Sequence, residues 1–144
     1  MMATTNVTTL NRIASSRLPW AALLAMVVAS LANLILYVVA DALWSVAWEP
    51  KFNAILVVVG TIGAVVVAAA LFAIVARFAR TPVKTYTMIA TIGLLLSFVM
   101  PILALFGIPG PSVAPLDTVI VMILTHVIAY VVSTFLFTRL TRES

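Results

Sequence analysis

Apolar residues in this chain neither alternate with polar ones nor recur at every third or fourth position; they run on. Four stretches, roughly 20–40, 54–76, 88–106 and 119–137, are almost free of charge. Each can cross a hydrocarbon core of ~30 Å, which takes about 20 helical residues. A strand with open edges would leave backbone N–H and C=O groups unpaired in lipid, so all four are expected as helices. Punctuation residues sit near the ends of the runs. Pro19 suits the first position of the first helix. Asn53 is placed to cap the second, and Thr81–Pro82 reads as a cap and first-turn proline for the third. Asp117 falls in the first turn of the fourth, where a negative charge suits the helix dipole.

The connections between runs are short, which favours antiparallel neighbours. The reading is therefore an all-α membrane protein: four transmembrane helices in an up-down-up-down antiparallel bundle. Residues 1–17 form an N-terminal segment, 18–140 the four-span domain and 141–144 a tail. Lys and Arg set the orientation. Arg12, Arg17, Arg77, Arg80, Lys84, Arg139 and Arg142 would lie on one side, against Lys51 alone on the other. Basic residues favour the cytoplasm, so both termini are expected there. The first run is longer than a usual signal peptide and carries Asn33, so it reads as a retained span. The glycosylation sequon at Asn6 would then be idle, and Val7, Leu10 and Ile13 would give Thr5–Arg17 a weak amphipathic turn.

Composition strengthens this picture and narrows the function. The 144 residues are 65% hydrophobic and only 8% charged, against about 25% charged in an ordinary soluble domain. The net charge of +4 is spread over the ends of apolar runs, so it reads as topology and not as nucleic-acid binding. There is no cysteine, which excludes thiolate metal sites and thiol catalysis. No serine elbow, phosphate loop, HExxH or paired carboxylates are present. No catalytic residue, cofactor or metal ligand set is expected. A single histidine cannot supply a three- or four-ligand site, and a bis-histidine haem would need a second chain. Membrane lipid is the expected partner, with a homo-oligomer or another membrane protein as further possibilities. A bacterial plasma membrane is the expected location.

The candidate chemistry lies where polar residues interrupt the runs. His126 sits near the middle of the fourth, and Tyr130 and Ser133 share its helix face. On the first run Ser30, Asn33, Tyr37, Asp41 and Trp44 also share a face. Asn33 and His126 should lie within about one turn in depth. If the two faces meet, a polar line crosses the membrane through Asp41, Tyr37, Asn33, His126, Tyr130 and Ser133. Ser97 on the third run falls at similar depth. Pro101 cannot donate to the Ser97 carbonyl, so a kink is expected there. Asn33, Tyr37, Ser97, His126 and Tyr130 are therefore a candidate polar pocket, with the imidazole meeting the Asn33 amide. Such a cluster can serve as internal packing, since polar contacts between spans are worth about 0.6 kcal/mol on average. It can equally hold a proton or small ligand, because ionisable groups within spans often mark such paths. Gly60, Ala64 and Ala68 form a small-residue seam suited to close helix packing within the chain or between copies. Trp20, Trp44, Trp48 and Tyr86 suit an aromatic belt at the membrane surface.

The segments ANLILYVVA, LLLSFVMP and LTHVIAY resemble a family of small bacterial four-helix membrane proteins of unknown function. The likeness covers roughly Leu18–Leu140. It implies the four-span fold and singles out Asn33, Ser97, Pro101 and His126 as positions that match the family's polar marks. It implies no chemistry. Three functions remain open: a structural or accessory membrane protein, a carrier or sensor of protons or a small ligand centred on His126, Asn33 and Ser97, and a membrane haem or redox protein.

Overall fold

The structure, a computed structural model, describes residues 15–48, 51–108 and 112–141. Asn6, most of the Thr5–Arg17 segment, Pro109, Pro111 and the tail beyond Thr141 lie outside the described residues. A short 3-10 turn, Ser15–Arg17, leads into α1 (Leu18–Trp44). There follow α2 (Ala54–Phe78), α3 (Pro82–Ser97), α4 (Val99–Ala104) and α5 (Leu116–Leu140). Four spans are long and apolar enough to cross a membrane, α3 and α4 together forming the third as Pro82–Ala104. The chain is an all-α, multi-pass membrane protein.

Three of the spans start before their apolar runs, because a helix does not end where hydropathy falls. Punctuation decides instead. Pro19 stands second in α1, where its missing N–H is not needed. Asn53 caps α2 by accepting from the Leu56 N–H at 3.0 Å. Pro82 opens α3, six residues before the apolar run begins. The third span is interrupted at Phe98, whose N–H turns to the Leu95 carbonyl at 3.3 Å. This break lies just upstream of Pro101, which has no N–H to give the Ser97 carbonyl. Gly107 ends the span at φ 74°, and the N–H of Ile108 closes on the Leu103 carbonyl at 3.2 Å. That backward closure needs a left-handed residue, which glycine adopts at no steric cost.

α1 packs mainly on α5 and α2, while α3 packs on the other side of the same pair. The start of α1 meets the ends of α2 and α5 around Ala21, Ala25, Phe72 and Phe137. The end of α1 meets the starts of α2 and α5 around Tyr37, Val57 and Val121. The seam that brings two backbones close is on α1: Ala21, Ala25 and Ala29, at four-residue spacing, are fully buried. Tyr86 is also fully buried, edge-on to Phe72 with ring centroids 4.9 Å apart and with Phe137 as its other aromatic neighbour. It is therefore not a belt residue. The early start of α3 places it one turn inside the helix. Trp20 and Trp44 do stand outward at the two ends of α1. Large apolar side chains cover the outer faces of every span, far beyond what a water-facing monomer exposes.

Candidate functional site

Asn33 is fully buried on α1 and ties three helices. Its Nδ2 donates to Thr61 Oγ1 of α2 at 2.8 Å and to the Thr125 carbonyl of α5 at 3.0 Å. Thr61 passes its own proton to the Val57 carbonyl at 2.6 Å, and Thr125 gives its proton to the Met122 carbonyl at 2.7 Å. Asn33 and the centre of α5 are thus at the same depth, as the residue count predicts. The partner is Thr125 and not His126. The two are neighbours in sequence, but 100° apart around the helix, and only Thr125 faces α1.

The expected line of polar groups is therefore divided. Tyr37 packs edge-on against Phe52 in the cluster at the end of α1. Asp41 closes the loop beyond α1, accepting from the Ala47 N–H at 2.9 Å. Tyr130 reaches α3, where its hydroxyl lies 2.7 Å from Thr91 Oγ1. Thr91 has already given its proton to the Thr87 carbonyl at 2.8 Å, so Tyr130 is the donor of this pair.

His126 is half-buried, and its Nδ1 lies 2.6 Å from the Met122 carbonyl one turn back. A carbonyl can only accept, so Nδ1 carries the proton. In the neutral ring Nε2 is then a bare acceptor, and it has no hydrogen-bond partner among the described residues. The ring stands where two openings in the bundle meet. The larger, about 400 Å³, lies between α2, α3 and α5; the smaller, about 220 Å³, runs along α2 and α5 toward Lys51. Both share Ala64, His126 and Ala129. Ser97, Tyr130 and Ser133 join His126 in the larger opening, while Thr61 and Thr125 border the smaller one.

The small residues of α2 form the wall of these openings. A Cβ added to Gly60 or Gly63, or to Gly93 across the cleft on α3, would meet nothing within 4 Å. Of the seam Gly60, Ala64 and Ala68, only Ala68 packs against the core; Gly60 and Ala64 are exposed. Sequence reading missed Thr61, Thr125, Thr91 and Gly93, and it assigned Tyr86 to the aromatic belt. The one available signal was depth, since Thr61 and Thr125 stand level with Asn33.

A family model described as "Family of unknown function (DUF6069)" matches residues 13–143. The chain belongs to this family. No curated protein and no solved structure matches it. Membership in DUF6069 agrees with the four-helix resemblance carried by the first, third and fourth spans, and it assigns no activity. Among the described residues no three His, Asp or Glu side chains come together in a way that could hold a metal ion.

Proposed function

We propose that this DUF6069 protein is a small, non-enzymatic accessory protein of the bacterial plasma membrane that receives a small ligand at His126. Its spans run up-down-up-down with both termini in the cytoplasm, as the distribution of Lys and Arg favours. The observation that carries the ligand reading is the imidazole itself. Nδ1 is held by the Met122 carbonyl at 2.6 Å, leaving Nε2 a bare acceptor on a ring that lines both openings. Interhelical packing makes no use of it. Ser97 belongs to this site with His126, whereas Asn33 belongs to the helix tie.

His126→Gln tests the reading, since glutamine retains size and some hydrogen bonding. Thermal stability in detergent is expected to hold while a ligand- or pH-dependent flux or signal is lost. A fall in stability with every such property unchanged would return His126 to a packing role. That second reading has its own support in Asn33, whose two amide N–H bonds join α1 to α2 and α5. A haem would need an imidazole from a second copy, and a Soret band in the purified protein is the sign to seek. Arg77, Arg80 and Lys84 would draw anionic lipid, at about 1 kcal/mol each.

A further inference from the structure

Resting on the ligand reading of His126, we infer that the cleft between α2, α3 and α5 takes a neutral, apolar molecule carrying a hydroxyl group, whose proton goes to His126 Nε2. The hydroxyl protons of Ser97, Tyr130 and Ser133 are already engaged. Ser97 Oγ donates to the Leu94 carbonyl at 2.6 Å. Ser133 Oγ donates to the Ala129 carbonyl at 2.7 Å. Tyr130 gives its proton to Thr91. With Nε2 bare, these polar groups of the cleft all present lone pairs. An occupant must bring the donor. No carboxylate lines the cleft to balance a cation, and an unpaired charge within the membrane is costly, so the donor is neutral, and a hydroxyl is the neutral donor we assign.

The rest of the molecule is set by the walls. Gly63, Val67, Leu71, Ile89 and Gly93 make them almost wholly apolar. The glycines leave open space where side chains would otherwise stand. A volume of about 400 Å³ lies within the ~300–1,000 Å³ typical of small-molecule sites. A second polar mark stands at the far end. Tyr86 lines the cleft and is fully buried, its hydroxyl beside those of Ser133 and Thr134. It stands near Ser133, two helical turns from His126 and about 10 Å along the axis. An occupant that spans the cleft can therefore give a proton at His126 and reach the polar group formed by Tyr86 and Ser133. A second copy's helix would fill the space, but its apolar side chains would bring no donor to His126.

The chain has a single histidine, so ¹⁵N-histidine labelling isolates one ring. The full chain in nanodiscs is titrated with 4-nonylphenol and, separately, with its methyl ether, while the Nε2 resonance is followed. A saturable shift with the phenol, much weaker with the ether, is expected. Gly63→Leu, which fills the larger opening and favours the helix, should raise the half-saturation point by at least about tenfold. Gly60→Leu, which fills only the smaller one, should leave it unchanged. Equal shifts with phenol and ether would overturn the hydroxyl assignment, as would an effect unaltered by Gly63→Leu. A shift that follows protein-to-lipid ratio without added phenol would assign the cleft to a second copy instead. An Nε2 that responds to pH but not to the phenol removes the hydroxyl class and leaves a proton ligand standing. Indifference to both removes the ligand reading as well.

Discussion

Thr125 and His126 are adjacent on α5, yet they belong to two unlike regions. On the Thr125 side α1 lies close, its alanines are sealed, and Asn33 ties α1 to α2 and α5. On the His126 side a cleft opens between α2, α3 and α5, with Gly63 and Gly93 in its walls and an imidazole nitrogen that bonds to none of the described residues. Both regions hold polar groups at the middle of the membrane. What separates them is how closely the helices meet: Asn33 gives its amide protons across a sealed contact, although its Oδ1 has no hydrogen-bond partner among the described residues, whereas the His126 ring stands at an open cleft.

Substitutions on the two sides of α5 should have unequal effects. The largest effect should come from Phe72→Ala. Phe72 is fully buried between Tyr86 and Phe137, so it holds the start of α3 against α2 and α5. Its loss should cost about 3–5 kcal/mol, read by unfolding in mixed detergent, and should widen the cleft. Asn33→Leu should cost about 1–3 kcal/mol, since it removes two bonds between helices and fits poorly among alanines. A neutral result there would mean that the closed side is held by apolar packing alone. Gly63→Ala should stabilise by about 0.5–1 kcal/mol, because the new methyl meets nothing and alanine is the better helix former. Destabilisation would show instead that a second helix approaches α2 in the membrane. His126→Gln should change stability by no more than about 0.5 kcal/mol. A larger loss would erase the distinction between the two sides.

The spans were legible because lipid demands unbroken apolar length, and Asn53 and Thr81–Pro82 marked starts that hydropathy blurs. The depth of Asn33 was legible for the same reason, as residues convert to distance at a fixed rise. Its partner was not. Periodicity tells which residues share a face but not which neighbour that face meets, so the choice between Thr125 and His126 lay beyond it. Thr61 and Thr125 also hid in plain view. Threonine in a helix usually bonds back to its own carbonyls, as both do here, and so attracts no notice. The α2 seam shows the same limit from the other side. Four-residue spacing permits a close approach; whether a helix arrives depends on the other spans. Here the approach was made at Ala21, Ala25 and Ala29, in a stretch whose alanines look like mere filler.

The larger cleft opens on the flank of the bundle, between the exposed Gly63 of α2 and Gly93 of α3. Its solvent is the bilayer and not water. Occupancy would therefore follow the mole fraction of a compound among the lipids, and strong partitioning would do most of the concentrating. Modest intrinsic affinity would suffice, and washing the membrane with buffer would not empty the site.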